Sequence, residues 1–491
     1  MHVHDILAAI PLDRGAAAPL FRQLYARLKE AILAGDIASS ARLPATRELG
    51  RLLGVSRQTV LAAYEQLMAE GYLEGTVGKG TFVSAALPAT ARSYRDDAVP
   101  PLVRPLSARG EAMAAAMARV RHHDGPLRTF RISMPGLDLF PFEVWRKLEA
   151  RHWRRREVPL GYGGAAGHPP LRELLCAYLK ASRGVRCAPE QIIVTAGSQQ
   201  ALYLLAQLLL APGDGVWLES PGYQGALAPF AVAGAKVCPV PVDAEGMDVA
   251  YAAARYPDAR LAFATPSHQL PLGVTMSLGR RLELLRWAET QRAWIVEDDY
   301  DSEYRYTGPP LASLQSLDRK GCVIYVGTLS KVLFPGLRLG YIVAPPALVE
   351  PLARARAVVD RHSPIVPQAV LADFIQEGHF ARHIRRTRDA YGERRIALLE
   401  ALQRRLDGVL ACGPSDAGLD LCVGVTNGLG EAEAAARAAA AGVDLRTLSY
   451  YTNPAAGADC ALPPGLLLGF SAFTPEQIRA GVARLAQALV P

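Results

Sequence analysis

The sequence predicts an α/β protein in two unlike parts: three short helices and a hairpin first, then a large region of alternating strands and helices that closes in a smaller α+β subdomain. Three observations carry this. Leu20, Leu24, Leu28 and Ile32 recur at helical spacing near the N-terminus. A stretch dense in Ala, Pro and Arg, residues 85–127, separates the first part from the rest. Beyond it, short β-rich runs alternate with helical stretches, the pattern of a largely parallel sheet flanked by helices.

In chain order, residues 19–34 read as an amphipathic helix stopped by Gly35. A second helix covers residues 46–53, with Leu49, Leu52 and Leu53 inward, and Gly54-Val55 makes a turn. Ser56 is a good N-cap for a third helix, residues 57–70, whose Val60, Tyr64 and Leu67 face the core. Residues 72–74 and 81–83 read as strands joined by a Gly-rich loop, which places a first domain at 1–84. The 85–127 linker holds Pro88, Pro100, Pro101 and Pro105, with a helical piece over 111–120. A large domain, 128–345, follows, with strands expected at 191–195, 216–219, 261–265, 294–297, 323–326 and 339–343. From 346 to 491 the pattern turns mainly helical, a smaller subdomain.

At 491 residues the chain is too long for one ordinary domain, and half its residues are hydrophobic. No apolar run is long enough to cross a bilayer, and the first residues lack the layout of a signal peptide, so a cytoplasmic protein is expected. Seven scattered cysteines with no C-x-x-C argue against a disulfide framework or a cysteine zinc site, and no metal is expected. Net charge is +7, which permits an acidic partner such as DNA. The surplus lies elsewhere than in the first domain: residues 1–84 carry nine Lys/Arg against eight Asp/Glu, and residues 85–131 carry eight Arg against four. A basic run, Arg382, His383, Arg385, Arg386, Arg388, Arg394 and Arg395, reads either as a charged helix face or as an auxiliary patch for a DNA backbone.

Three helices, a tight Gly turn and a Gly-bearing hairpin match a winged helix-turn-helix, whose second motif helix enters the major groove N-terminus first. That places Ser56, Arg57, Gln58 and Thr59 at the DNA, with Arg57 suited to guanine and Gln58 to adenine. Arg42, Arg47 and Lys79 are candidates for phosphate contacts. The strings Arg42-Leu43-Pro44-Ala45-Thr46-Arg47-Glu48-Leu49, Leu53-Gly54-Val55-Ser56-Arg57-Gln58-Thr59-Val60, Glu70-Gly71-Tyr72-Leu73 and Gly78-Lys79-Gly80-Thr81-Phe82-Val83 closely resemble the GntR-type DNA-binding domain. One departure is Ala45, where that family usually has a capping serine.

The large domain carries the parts of a pyridoxal phosphate (PLP) site: a lysine for the aldehyde, an acid for the pyridine nitrogen, donors for the phosphate and a ring to stack. Lys331 follows the strand at 323–326 in Gly327-Thr328-Leu329-Ser330-Lys331. Asp298 ends the strand at 294–297, where ligands of such sheets bind. Arg338 and Thr328 suit a phosphate, and Ala196-Gly197-Ser198-Gln199 opens a helix whose amides make an anion site.

Together these motifs, with Leu139-Phe140-Pro141, Ser220-Pro221-Gly222-Tyr223 and Thr265-Pro266-Ser267-His268-Gln269-Leu270-Pro271-Leu272-Gly273, resemble fold-type-I aminotransferases. With the first domain they resemble the MocR/GabR subfamily of GntR regulators. The resemblance implies Lys331 as the Schiff-base lysine and catalytic residue, Asp298 on the pyridine nitrogen, Tyr300 on the ring hydroxyl and Tyr223 stacked on the ring. It implies Ser198, Gln199, Thr328 and Arg338 on the phosphate, and His268 or Gln269 near the ring hydroxyl. It implies a homodimer that binds double-stranded DNA and senses an amine or amino-acid-like effector, or PLP itself. An active aminotransferase with a DNA-binding appendage is the alternative. The stretch where aminotransferases place a carboxylate-clamping arginine reads Leu466-Leu467-Leu468-Gly469-Phe470-Ser471, without one. Where this subfamily has an arginine shortly after the stacking tyrosine, Gln224-Gly225 stand instead. Arg446 is the remaining candidate for an effector's acid group, so at most partial transamination is expected.

Overall fold

The computed structural model describes residues 3–76, 80–85, 104–116, 125–155, 161–308 and 311–490. The chain divides into two compact units, Met1–Pro105 and Leu106–Pro491.

In the first unit, helices α1 (Val3–Ala8) and α2 (Leu20–Leu33) precede a two-residue strand β1 (Arg42–Leu43). Helices α3 (Thr46–Leu52) and α4 (Arg57–Ala69) and strands β2 (Leu73–Thr76) and β3 (Gly80–Val83) follow. Leu24, Leu28, Leu49, Val60, Tyr64, Leu67, Leu73 and Val83 share one core. Ser56 caps α4, its Oγ accepting from the Thr59 amide at 3.1 Å. Ala45 stands at the N-cap of α3 with no side-chain bond. Gly54, at φ +63°, makes the turn between α3 and α4. The sheet order is β1-β3-β2. Strand β1 and helix α1 were not expected: two residues are too few to show a period.

The second unit opens with α5 (Ala108–Ala116), α6 (Phe142–Arg155) and α7 (Pro169–Arg183). Of the helix expected at 111–120, the part from 117 lies outside the described residues. Next come β4 (Ile192–Thr195), α8 (Ser198–Leu209), β5 (Gly215–Ser220), α9 (Gln224–Val232), β6 (Lys236–Asp243), β7 (Gly246–Met247) and α10 (Val249–Arg255). Then β8 (Ala259–Ala264), α11 (Leu278–Gln291), β9 (Trp294–Asp299), α12 (Leu314–Leu317), β10 (Val323–Thr328) and β11 (Gly340–Val343) complete an eight-stranded sheet. Its order is β4-β11-β10-β9-β8-β5-β6-β7. Strands β10, β9, β8, β5 and β6 run parallel, while β11 lies antiparallel between β10 and β4. The parallel strands are almost wholly buried, as strands covered on both faces must be.

Helices α13 (Pro346–Asp360) and α14 (Ile365–Gln376) follow, then α15 (His379–Leu406). A smaller sheet, β12 (Leu410–Cys412), β13 (Asp420–Val425), β14 (Arg446–Thr447) and β15 (Gly465–Gly469), carries α16 (Glu431–Ala440) and α17 (Pro475–Leu489), in the order β12-β13-β15-β14. The expected boundary at 345/346 shifts. Leu352 of α13 and Val370, Leu371 and Phe374 of α14 pack into the cores of the large sheet, and the small core begins with α15. Phe130, ahead of the large sheet in sequence, joins the small core instead. The basic run on α15 is largely internal: Arg386 donates to the Leu139 carbonyl, Arg388 to the Glu303 carbonyl at 2.7 Å, and Arg394 pairs with Asp138. No helix among the described residues is long and apolar enough to cross a membrane.

Candidate functional site

The strand directions gather the candidate residues at one edge. Thr195, Ser220, Ala264, Asp299 and Thr328 end β4, β5, β8, β9 and β10, and Gly340 begins the antiparallel β11 at that same edge. Short connections from these ends put Ser198, Gln199, Tyr223, Asp298, Tyr300, Thr328, Lys331 and Arg338 around one cavity of about 220 Å³. Ser133, Thr265, Leu270, Ser330 and Pro335, none of them singled out from sequence, complete the lining.

At one end is a cradle for an anion. Helix α8 starts at Ser198 after Gly197, whose φ is +96°. Its first amides have no helical partner, and the helix dipole favours negative charge there. Arg338, held at φ +52°, lies against Gly197 and donates to the Ala196 carbonyl at 2.9 Å. A Cβ on Gly340 would sit 2.9 Å from the Gly197 Cα, so the two turns close together only as glycines. Gln199 fixes the wall by donating to the Gly225 carbonyl at 3.0 Å.

The other end is acidic and buried. Three consecutive carboxylates end β9, and each meets a different environment. Glu297 accepts from the amides of Leu314 and Gln315, at 2.7 and 2.8 Å. Asp299 accepts from Arg183 at 2.7 Å and from the Tyr325 hydroxyl at 2.5 Å. Asp298 lines the cavity, 5% exposed, with its Oδ1 buried and without a partner. Burial foremost, then the charges of Asp299, Asp301 and Glu219, push its carboxyl up to about 7. The Lys331 amine donates to the Ser133 carbonyl at 2.8 Å. Burial lowers its pKa, against the pull of Asp420, Asp301 and Asp298.

Two expectations need correction. His268 does not line the cavity but stands behind Tyr300, whose hydroxyl meets His268 Nδ1 at 3.0 Å. The same nitrogen meets Asp301 at 2.9 Å, and the net effect, against burial, is a raised imidazole pKa. A Cβ on Gly418 would fall 2.1 Å from this ring, so a turn of the small subdomain occupies the space on that side. The neighbouring Gln269 is absorbed in structure, donating to Glu219 and to the carbonyls of Pro221 and Leu270. Arg446 is likewise outside the lining: it stands on β14 opposite Leu467, with its guanidinium 5.0 Å from the centre of the Tyr450 ring. The sequence reading passed over Ser133, Asp301, Glu219 and Asp420. Glu219, a lone acid at a strand end before Ser-Pro-Gly-Tyr, was the readable signal among them. Among the described residues no His/Cys/Asp/Glu cluster could hold a metal.

In the first unit, Arg57 and Gln58 project exposed from the N-terminal turn of α4, beside the exposed Ser56. Thr59 is half-buried, and its hydroxyl meets the Ser56 hydroxyl at 2.9 Å. Arg42, on β1, and Arg47, on α3, are exposed. Lys79 lies outside the described residues.

Residues 134–485 match the family model for aminotransferase class I and II, and residues 20–83 that for bacterial regulatory proteins of the gntR family. The chain is 43% identical to the probable rhizopine catabolism regulatory protein MocR of Rhizobium meliloti, over 98% of this chain and 95% of that one. It is 34% identical to the HTH-type transcriptional regulator TauR of Rhodobacter capsulatus, over 98% and 100%. Among solved structures, the second unit is similar to Pyrococcus horikoshii kynurenine aminotransferase in complex with PMP, with a TM-score of 0.68 at 28% identity, covering 82% of this chain and 98% of that one. It is also similar to the α-aminoadipate aminotransferase LysN of Thermus thermophilus complexed with N-(5'-phosphopyridoxyl)-L-leucine, with a TM-score of 0.67 at 30% identity, covering 77% and 94%. A GntR-type DNA-binding domain thus precedes an aminotransferase fold on one chain, and the chain belongs to the MocR/GabR subfamily of GntR-type transcriptional regulators.

Proposed function

We propose that this transcriptional regulator holds pyridoxal phosphate in the cavity, takes up a small amine there, and changes its affinity for double-stranded DNA in response. The observation that carries this is the buried, unpartnered Asp298 oxygen in the same cavity as Lys331. A buried carboxylate oxygen without a donor is costly, and a protonated ring nitrogen supplies one.

The donor set fits the cofactor. Pyridoxal phosphate supplies an aldehyde that combines with primary amines and a ring that withdraws electrons. Lys331, its pKa lowered by burial, offers the amine that holds the aldehyde and that an incoming amine displaces. Asp298 keeps a proton on the ring nitrogen, and Tyr300 donates to the ring hydroxyl while His268 and Asp301 orient it. Tyr223 covers the ring face. Ser198, Gln199 and Thr328, with Arg338 and the first amides of α8, hold the phosphate.

On the DNA side, Arg57 and Gln58 read base edges, Ser56 and Thr59 shape the helix start, and Arg42, Arg47 and Lys79 contact phosphates. The regulator works in the cytoplasm as a homodimer. Supporting a dimer, Tyr162 and Val358 are 82% and 86% exposed beside Arg361 and His362, an apolar patch that a partner would cover. Two states of unequal DNA affinity, each favoured by a different occupant of the cavity, are all the regulation requires.

A gel-shift series with cofactor-free, cofactor-loaded and Lys331→Ala protein, with and without an amine panel, tests this. DNA from beside the protein's own gene is retarded sequence-specifically, amines change that retardation in the loaded wild type, and Lys331→Ala abolishes the response. Absence of sequence-specific retardation by the loaded protein would sink the proposal. DNA binding that follows free pyridoxal phosphate without amine would make the cofactor itself the signal. A 30% identical aromatic-amino-acid aminotransferase of Thermococcus litoralis, matched over 72% of this chain, favours checking the enzyme reading by multiple-turnover amino transfer.

A further inference from the structure

Resting on the cofactor-and-amine reading of the cavity, we infer that the effector is an amine carrying no acid group, because the side of the cavity that receives it offers a carboxylate an aspartate and no cation.

The charged residues of the described lining are Asp298, Lys331 and Arg338. Arg338 is committed to the anion end, against Gly197 and the Ala196 carbonyl. Lys331 is the amine that the effector replaces. No third cation lines the cavity among the described residues.

The two places where an acid-binding arginine was sought hold other groups. Strand β15 is wholly buried Gly-Leu-Leu-Leu-Gly. Its Leu467 stands opposite Cys422 of β13 and Arg446 of β14, so these three share one face of the small sheet. Asp420, two residues from Cys422 and opposite Gly469, lies on that same face. Arg446 occupies the edge strand, with β15 between it and β13. The charge next to the lysine is therefore Asp420. It accepts from the Ser133 amide at 2.7 Å and from the Ser133 hydroxyl at 3.1 Å, and the Ser133 carbonyl accepts from Lys331. After Tyr223, the buried Gln224 amide is tied to the Tyr451 carbonyl at 2.8 Å. A Cβ on Gly225 would lie 2.3 Å from the Tyr223 ring, which fills the space a longer side chain there would use.

What remains is neutral. Ser133, Thr265, Tyr300 and Ser330 bring hydroxyls to the lining. Tyr451, 3% exposed, adds a buried hydroxyl with no partner, and after burial it is Asp420 that most favours its protonated form. An amino acid entering here would bring its carboxylate toward Asp420 without a counter-ion, incurring desolvation and like-charge repulsion together. The amine lacking that group meets neither cost.

Matched pairs that differ only in the acid group test this: lysine and cadaverine, tyrosine and tyramine, arginine and agmatine. Each is titrated into the cofactor-loaded full-length protein, read by the bound cofactor's visible absorbance, by the thermal midpoint and by retardation of DNA. The amine of each pair binds at least about tenfold tighter than its parent amino acid. Asp420→Asn, which keeps an acceptor for the Ser133 amide, narrows that ratio, and Leu467→Arg narrows it further by favouring the amino acid. Circular dichroism checks both folds, and Asp420→Asn decides alone if Leu467→Arg does not fold. Amino acids binding as tightly as their amines in the wild type, or a ratio untouched by Asp420→Asn, overturns the inference and leaves the cofactor-and-amine reading standing. If no member of any pair perturbs the bound cofactor, that reading falls and the inference with it.

Discussion

The DNA-reading helix and the cofactor cavity treat polar groups in opposite ways. At the start of α4, Arg57 and Gln58 stand exposed and fully hydrated. At the end of β9, Asp298 is buried with an oxygen unsatisfied, and Glu219 and Glu297 nearby are held up to about 7, chiefly by burial. A hydrated side chain carries no mark of its partner, since water serves it equally well. A buried one must be matched inside the fold, and an unmatched one points to what is missing. The cavity therefore reveals its ligand by physical deficit, whereas the reader helix is identified through its sequence motif.

That contrast can be broken from either side. The largest expected effect is at Lys331. After borohydride reduction of the loaded protein, mass spectrometry finds the pyridoxyl mass on the wild type and none on Lys331→Ala; a modified Lys331→Ala chain would move the anchor elsewhere. Next is Asp298. Its replacement by Ala removes one partner of a buried charged pair, a loss of about 2–5 kcal/mol in cofactor affinity, measured by equilibrium dialysis.

The same residue makes a pH prediction. Its carboxyl rises from the ordinary 3.8 to about 7 in the fold. Between those values the folded cofactor-free chain binds more protons than the unfolded one, so stability from this group is lost as pH rises through the window. Thermal unfolding of cofactor-free Asp298→Asn against wild type should show the variant gaining relative stability from pH 5 to pH 8; a constant difference contradicts the assignment.

Smaller effects belong to the exposed side. Arg57→Ala and Gln58→Ala each weaken operator binding by about 1–3 kcal/mol while leaving non-specific binding nearly unchanged, as read by gel shift with competitor DNA. Equal losses on both DNAs would make them backbone contacts. Smallest is the cap: Ser56→Ala destabilises the first unit by about 1 kcal/mol, and Ala45→Ser at the uncapped start of α3 recovers a similar amount, both followed by thermal melts.

Much of this architecture was legible because local chemistry and global fold agree. The parallel strands announce themselves as apolar runs, and their ends carry the chemistry, so Lys331, Asp298 and Arg338 could be placed from order and spacing. What stayed hidden was set by long-range packing. In sequence Glu297, Asp298 and Asp299 are one acidic run that would suit a solvated loop; only Arg183, Tyr325 and the α12 amides distinguish them. Asp420 lies in a different subdomain from the lysine whose neighbour it holds. The basic run of α15 looks like a surface patch until Arg386, Arg388 and Arg394 are seen gripping internal partners. The small subdomain was begun too early because α13 and α14 continue the helical pattern while packing on the larger sheet.

The bond from Lys331 to the Ser133 carbonyl has a mechanical consequence. Ser133 sits at φ +59° in a stretch laced to the small subdomain: the Phe130 carbonyl accepts from the Gly469 amide, Arg131 pairs with Asp444, and the Met134 carbonyl accepts from Ser471. Whenever the lysine amine leaves, that carbonyl loses its donor and a residue in an unfavoured conformation loses one of its restraints. The stretch begins where the inter-domain segment ends, so the lysine's position is recorded as tension or slack in the first ordered piece of chain after that segment.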